Sequence, residues 1–375
     1  MRKSDLALLK LLDGDTDYLR RYSRLRDISK SVRVSEYLIT NACNIRCKGC
    51  WFFEYDFDKQ SKEVTSLEKL EAFLLKERQR GINTALVIGG EPTLFPKRVK
   101  LFTEIMDNVT VSTNGLSKMP FKGFEDVAVL ISLFGGGKLD DELRAIKPNK
   151  STFKGLFDKA LQNYKNDHRA CFIFAITEDG IDYIEETVEK IQKNGNRVSF
   201  NFYSKYDAKE PLYQKNRDAL LEEALRVKSL YPDTVLSHPY YIRSIVTGKT
   251  HWDQFSYDVC PSVSVDHPDN QARVNNGNPV LPGFNAWAAD LETINLCCTS
   301  GHCDNCQDSQ AVFSWLLMSM AKFRSSPEEL KTWIEIAESY WAQFSWISRF
   351  DQGVDMSHSL AKSAQKTLIT SDAVC

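Results

Sequence analysis

Residues 41–51 read Asn-Ala-Cys-Asn-Ile-Arg-Cys-Lys-Gly-Cys-Trp, and they carry Cys43, Cys47 and Cys50 with three and then two residues between them. Thiolates are the usual protein ligands of iron–sulfur clusters. Three thiolates this close in sequence can bind three irons of a cubane and leave the fourth iron open to a small molecule. The spacing by itself also allows a zinc knuckle or three unrelated buried thiols.

The sequence around this loop predicts strands that alternate with helices. Such alternation is typical of parallel strands joined by right-handed crossovers. A complete barrel of this kind has eight strands, so six predict an α/β fold with a partial (β/α)6 TIM-like barrel. Strands are predicted at 34–40, 85–88, 109–113, 127–133, 170–176 and 197–203, and helices at 66–80, 97–107, 152–163 and 181–193.

A second motif, Gly89-Gly90-Glu91-Pro92, follows the second predicted strand about 40 residues after the cysteines. The two motifs together resemble the radical S-adenosylmethionine (radical SAM) superfamily. The resemblance implies that the cysteines of residues 41–51 hold a 4Fe–4S cluster whose open iron chelates S-adenosylmethionine (SAM). It also implies that the Gly-Gly-Glu-Pro loop grips the methionine amino group, and that reductive cleavage of SAM yields a 5′-deoxyadenosyl radical.

Three further cofactor contacts are implied by the same resemblance, each near the end of a predicted strand. Asn114 follows the third strand and precedes a glycine. An Asn-Gly pair fits a structural turn and a pocket-lining role equally well. Ser132 ends the fourth strand and is expected near the methionine or ribose part of SAM. Arg144 stands where relatives place an arginine that pairs with the methionine carboxylate, for which a planar guanidinium is well suited.

The adenine contacts are where this sequence departs from the family pattern. An aromatic residue usually precedes the third cysteine, but here Lys48-Gly49 occupies the gap and Trp51 follows it. Trp51 is therefore predicted as a stacking surface. Ile176 and Thr177, at the end of the fifth strand, are the other predicted adenine contacts.

A second group of cysteines lies towards the carboxyl end, at Cys260, Cys297, Cys298, Cys303 and Cys306. Four thiolates can close a zinc site or a second 4Fe–4S cluster. Within the resemblance, C-terminal extensions of the SPASM/twitch type hold auxiliary clusters. This favours an auxiliary 4Fe–4S cluster on Cys260, Cys298, Cys303 and Cys306. Cys297 is either an alternative ligand to Cys298 or a hydrogen donor.

These features predict six segments along the chain. They are a helical lead-in (1–33), the radical SAM partial barrel (34–206), a helical connection (207–259), the Cys-rich auxiliary segment (260–310), C-terminal helices (311–350) and a flexible tail (351–375).

Composition limits the partners. The chain has 375 residues and a formal net charge of -2, which disfavours nucleic acid as a partner. No apolar run approaches the length that spans a membrane. Ten clustered cysteines predict metal binding in a reducing compartment, hence a cytoplasmic location. Cys171, inside the fifth strand, is predicted as a packed core thiol.

The sequence thus predicts a radical SAM oxidoreductase that abstracts a hydrogen from a small-molecule or short peptide substrate. The auxiliary cluster would assist oxidation or bond formation. The resemblance also implies an electron donor such as flavodoxin or ferredoxin. Two alternatives remain open: a redox-neutral epimerase or isomerase with a cysteine hydrogen donor, and a zinc- or cluster-stabilised binding module without turnover.

Overall fold

The predicted strands are present in the computed structural model of the chain, which describes residues 3–54, 56–202, 216–248, 285–295 and 308–344. Six consecutive strands pair in parallel, each with the next one along the chain. The predicted α/β fold with a partial barrel is confirmed. The strands are β1 (Val34–Leu38), β2 (Thr84–Ile88), β3 (Asn108–Thr113), β4 (Val127–Leu133), β5 (Ala170–Ile176) and β6 (Arg197–Phe202).

Two short strands that the sequence did not predict extend the sheet beside β1. β7 (Ala286–Trp287) is parallel to β1, and β8 (Ile294–Asn295) is antiparallel to β7. The described sheet therefore has the order β6-β5-β4-β3-β2-β1-β7-β8. Because β6 lies at one end of this order, β1 and β6 do not pair in the described part of the chain, and the barrel is open between them.

Several helices begin at polar caps that accept backbone hydrogen bonds. Ser66 accepts from the Lys69 amide before α5 (Leu67–Gln79), and Ser326 accepts from the Glu329 amide before α13 (Pro327–Ala342). Residues 237–248, which have no clear sequence pattern, contain α11. The helices are α1 (Lys3–Leu11), α2 (Thr16–Ser31), α3 (Trp51–Glu54), α4 (Phe57–Gln60), α5 (Leu67–Gln79), α6 (Pro96–Ile105), α7 (Gly137–Arg144), α8 (Leu156–Asn163), α9 (Ile184–Lys193), α10 (Arg217–Leu230), α11 (Pro239–Thr247), α12 (Ser309–Met318) and α13 (Pro327–Ala342), with 3-10 turns at Pro92–Leu94, Glu178–Tyr183 and Met320–Phe323.

Successive side chains of each strand point to opposite faces of the sheet. On β1, the fully buried Tyr37 faces the helical layer, where its hydroxyl donates to Glu77 Oε2 of α5 at 3.0 Å. Trp287 of β7 donates its indole N–H to the same oxygen at 2.9 Å. Glu77 thus joins three elements, and the neighbouring residue Glu36 of β1 is directed to the opposite face.

Helix α2 packs on α13, the last helix in the described part of the chain. Arg21 of α2 donates from Nε to Glu338 of α13 at 2.9 Å, and Lys331 of α13 pairs with Asp15, the cap of α2, at 2.8 Å. Trp333 is fully buried between these helices and lies near Tyr22, with 6.3 Å between ring centroids. These contacts anchor α13 to α2.

Candidate active site

A cavity of about 430 Å³ lies inside the partial barrel. Side chains at the carboxyl ends of the strands form one part of its lining, which we call the loop rim. Residues from within the strands, together with the start of α12 and the end of α13, form the other part, which we call the inner wall. The loop rim brings together ten of the residues predicted from sequence: Cys43, Cys47, Cys50, Trp51, Gly89, Gly90, Glu91, Asn114, Ser132 and Arg144.

The three rim thiols are neighbours in a dry environment. Burial, together with a contribution from the nearby Cys47, raises the pKa of the Cys43 thiol to about 12 and that of Cys50 to about 11. Thiols held in this way are protonated unless a metal takes the place of the proton. A metal bound by these thiols would therefore displace their protons.

The chemistry of the rim donors is that of an iron–sulfur site. All three are free cysteine thiols that line one cavity. Thiolates are the usual protein ligands of iron–sulfur clusters, and a cubane binds each of them at a separate iron. The donor set on the rim therefore fits a 4Fe–4S cluster.

Backbone contacts fix the conformation of the cysteine loop. The Arg46 amide donates to the Ile146 carbonyl at 2.6 Å, and the Lys48 amide donates to the Leu143 carbonyl at 2.8 Å. The Arg46 guanidinium donates to the Cys43 carbonyl at 3.0 Å and lies 3.9 Å from the centre of the Phe53 ring. The loop thus rests on the carboxyl end of α7.

Gly89 and Gly90 are required by a close approach of two backbone segments. The Gly90 amide donates to the Thr40 carbonyl, and the Glu91 amide to the Ala42 carbonyl, both at 2.8 Å. A Cβ on Gly90 would lie 2.1 Å from the Ala42 oxygen, and Gly89 has a φ of +135°. The close approach is therefore to the cysteine loop itself, so a side chain at either position would displace the predicted cluster ligands.

Glu91 is 1% exposed, and its carboxylate is occupied by hydrogen bonds from within the protein. One oxygen accepts from the Thr93 amide at 3.0 Å and from the Thr113 hydroxyl at 2.8 Å, and the other accepts from the Asn114 amide at 2.8 Å. Burial raises the pKa of this carboxyl, whereas the hydrogen bonds lower it. Glu91 thus ties the end of β2 to the end of β3.

Arg144 is 2% exposed and forms an ion pair with the fully buried Asp140 at 3.1 Å. Its guanidinium also donates to the Ser132 carbonyl, and Asp140 accepts from the Phe134 amide at 2.8 Å. Burial raises the pKa of the Cys47 thiol, and the positive charge of Arg144 opposes this effect. Arg144 therefore joins α7, the end of β4 and the cysteine loop. Its predicted contact with the methionine carboxylate stays a prediction.

Asn114 and Trp51 are placed on the rim by different means. The Asn114 side-chain amide donates to Asn44 Oδ1 at 2.7 Å, and its oxygen accepts from the Leu116 amide at 2.9 Å. Asn114 is thus both a turn residue and a lining residue. Trp51 begins α3 and meets Phe57 edge to face, with 5.1 Å between ring centroids.

Three predicted residues do not line the cavity. Pro92 is buried at the start of a 3-10 turn, and Thr177 lies beyond β5 with its buried hydroxyl unpaired among the described residues. The Ile176 side chain is fully buried in the main core, and the predicted adenine contact of Ile176 stays a prediction. Ala175 lines the cavity in its place. The alternation of side chains along β5 directs Ile176 to the helical layer.

The inner wall contains two acidic residues that the sequence did not single out, Glu36 and Asp308. Glu36 is 7% exposed, and burial together with the charge of Asp308 raises its pKa to about 8. Asp308 caps α12 and accepts from the Ala311 amide at 3.1 Å. The available signal for Glu36 was a lone carboxylate inside an otherwise strand-forming stretch.

The predicted auxiliary ligands Cys260, Cys298, Cys303 and Cys306, together with Cys297, lie outside the described residues. The prediction for Cys171 is confirmed, since this thiol is 3% exposed within β5.

Among the helices in the described ranges, none has both the length and the apolar character needed to cross a membrane.

Comparison with known proteins locates the similarity in the barrel. Residues 37–191 match the Radical SAM superfamily. A GTP 3′,8-cyclase of Alkaliphilus metalliredigens (strain QYMF) is 27% identical over 92 residues, which are 23% of this chain and 29% of that protein. The match thus spans under a third of that relative's length.

Two solved structures are similar at low identity. One is native anSMEcpe with bound AdoMet and Cp18Cys peptide, with a TM-score of 0.49 and 13% identity over 72% of this chain and 75% of that one. The other is methylornithine synthase (PylB), with a TM-score of 0.39 and 14% identity over 84% of this chain and 92% of that one.

Proposed function

We propose that this chain, whose residues 37–191 belong to the radical SAM superfamily, cleaves SAM reductively and abstracts a hydrogen from an unactivated carbon of its substrate. The substrate is a small molecule or a short peptide. The observation that carries this proposal is the assembly of the thiol triad, the Gly89–Gly90 backbone and Asn114 around one enclosed cavity.

When bound, a 4Fe–4S cluster supplies the electron that cleaves SAM to a 5′-deoxyadenosyl radical. Cys43, Cys47 and Cys50 would hold three of its irons, which leaves one iron for the methionine part of SAM. The loop at Gly89–Glu91 and the Arg144 guanidinium are the groups next to those thiols that can orient the methionine amino and carboxylate groups. Trp51 offers an aromatic face to the adenine.

The cavity's own walls keep the radical from unwanted partners. Leu86 and Ile88 of β2, Phe202 of β6 and Trp341 and Phe344 from the C-terminal end line it. Such walls exclude water and hold the substrate carbon in one orientation, which is the protein's contribution to cofactor chemistry of this kind.

The direct test compares two sets of cysteine substitutions. Protein reconstituted anaerobically with iron and sulfide and reduced with dithionite should form 5′-deoxyadenosine from SAM. Replacing Cys43, Cys47 and Cys50 together with alanine should abolish this product. Cys171→Ala, which removes a buried thiol away from the cavity, is the matched control and should retain it. Product from the triple variant would refute the proposal.

We also propose an auxiliary 4Fe–4S cluster on Cys260, Cys298, Cys303 and Cys306, which makes the reaction an oxidation or a bond formation. The position of Cys306 in the sequence supports this proposal. Cys306 stands two positions before Asp308, and Asp308 lines the cavity. A cluster attached there would be close enough to take an electron from the substrate. Flavodoxin or ferredoxin is the proposed electron donor, and the location is proposed to be cytoplasmic.

Iron content tests the auxiliary cluster. Reconstituted protein should contain about eight irons, four per cubane. Replacing Cys303 and Cys306 with serine should halve this value and stop substrate turnover, while 5′-deoxyadenosine formation without substrate persists. Four irons with one bound zinc would refute the auxiliary cluster. That result would favour the redox-neutral alternative with Cys297 as hydrogen donor, which an unchanged oxidation state of the product would identify.

A further inference from the structure

We infer that the inner wall binds a cationic nitrogen of the substrate, an ammonium or guanidinium group, through the Glu36 carboxylate with Asp308 beside it. This inference rests on the proposed function and narrows its substrate class. It concerns a part of the cavity that the radical SAM motifs do not reach, because both acidic residues lie outside those motifs.

The first support is that Glu36 is buried without a partner. It is 7% exposed, its side chain lines the cavity, and no hydrogen bond or ion pair to its carboxylate is formed by the described residues. Its backbone amide donates to the Asn285 carbonyl at 2.7 Å, which fixes the strand but leaves the side chain unused. A buried carboxyl without a partner is costly, so such groups are typical of ligand sites.

The second support is the position of Glu36 relative to its neighbours. Strand register places Leu86 beside Glu36, and Thr110 beside Leu86, so one level of the barrel carries a carboxylate, an aliphatic side chain and a hydroxyl. Asp308 approaches the same cavity from the N-cap position of α12. The helix N-terminus and the Ala311 amide stabilise the charge of Asp308, whereas no described residue donates a hydrogen bond to the Glu36 carboxylate.

The charges around the cavity favour a cation over an anion. The other titratable lining groups are the three thiols, Glu91, Arg144 and Tyr340. Among them Arg144 is the basic group, and Asp140 already neutralises it. Glu91 is held by internal hydrogen bonds. A positively charged ligand would therefore pair with the Glu36 carboxylate and be attracted by the nearby charge of Asp308.

Aromatic rings near these carboxylates suit the same ligand. Trp341 and Phe344 from the C-terminal end and Phe202 of β6 line the cavity with Glu36. Ring faces attract cations, and the attraction grows when the cation is removed from water. A ligand with an ammonium group on an apolar body would match both the charge and the rings.

The test uses benzylammonium chloride as the probe and benzyl alcohol as its uncharged counterpart. Each is titrated calorimetrically into reconstituted holoenzyme saturated with SAM and kept without reductant. The wild type should bind the ammonium more tightly than the alcohol. Glu36→Gln should weaken ammonium binding roughly tenfold or more, as expected for the loss of a charge-assisted hydrogen bond, and leave alcohol binding unchanged. Glu71→Gln, on the exposed face of α5, is the matched control.

Proton release gives a second readout that needs no variant at position 36. Because the Glu36 carboxyl must ionise to pair with the probe, ammonium affinity should rise with pH and level off above about 8. Titrations in two buffers of different ionisation enthalpy measure the released proton. Asp308→Asn retains a good helix cap but removes the neighbouring charge. It should weaken ammonium binding and shift its pH dependence to lower pH.

Three outcomes would overturn this inference: equal binding of the two probes, an ammonium preference that survives Glu36→Gln, or a Glu36→Gln variant that loses affinity for SAM rather than for the probe. Formation of 5′-deoxyadenosine in the absence of substrate tests the proposed function independently of the ammonium site. If it occurs while the ammonium preference is absent, this inference alone fails.

Discussion

Buried charged groups on the loop rim and on the inner wall differ in how they are satisfied. On the rim, Glu91 accepts hydrogen bonds from three residues and Arg144 is paired with Asp140. On the inner wall, the Glu36 carboxylate receives no hydrogen bond from the part of the chain that the structure describes. Both regions line one cavity, yet the buried charges Glu91 and Arg144 of the rim are satisfied by the protein alone.

The difference separates two uses of a buried charge. A satisfied group holds its neighbours in position, so its removal should lower stability. An unsatisfied group lowers stability and is retained for what it binds. The free energy of unfolding of matched variants therefore tests this distinction between the loop rim and the inner wall.

The largest effect is expected for Arg144→Ala, which leaves the fully buried Asp140 without its counter-charge. Breaking a buried ion pair in this way costs about 3–5 kcal/mol of the free energy of unfolding. Urea unfolding of the cluster-free protein measures it. Adding Asp140→Asn should recover part of the loss. A loss below about 0.5 kcal/mol, the range of ordinary surface changes, would contradict the role assigned to this pair.

A smaller loss is expected for Glu91→Gln. The amide retains one acceptor oxygen but directs an NH2 group towards a donor, so at least one buried donor loses its partner. We expect a loss of about 1–3 kcal/mol in the free energy of unfolding. Binding of SAM should weaken as well, because the ends of β2 and β3 shift. Normal stability together with weakened SAM binding would instead indicate direct contact between Glu91 and the methionine amino group.

An effect of the opposite sign, which depends on pH, is expected for Glu36→Gln. The pKa of Glu36 is raised from 4.5 to about 8 in the folded state, so folding favours the protonated form. The contribution of Glu36 to wild-type stability is then most favourable at low pH and is lost as pH rises from about 4.5 through about 8. The variant lacks this loss, so it should equal the wild type at pH 4.5 and exceed it at pH 8. A less stable variant at both pH values would show that Glu36 has a structural partner.

Local pattern was sufficient for the strands, their parallel order and the rim residues. Strand–helix alternation dictates the crossovers, and the carboxyl ends of parallel strands meet at one edge, so motifs at those ends must converge. Cys43, Gly90 and Asn114 could therefore be assigned to one site from sequence. The side chain of Ile176 could not be assigned to the core in this way, because the position of a strand end does not show which face a side chain takes.

The inner wall could not be deduced in this way, because Glu36 and Asp308 are 272 positions apart. Nothing local to β1 shows whether Glu36 faces solvent, a partner or a cavity. Its environment depends on α12 and α13, which cover the open side of the barrel and bring Asp308 to it. The amino-acid sequence thus determined the thiol loop and its barrel, because those contacts depend on neighbouring strands. The acidic wall was decided by the tertiary structure, because burial and charge at Glu36 arise from packing between distant segments.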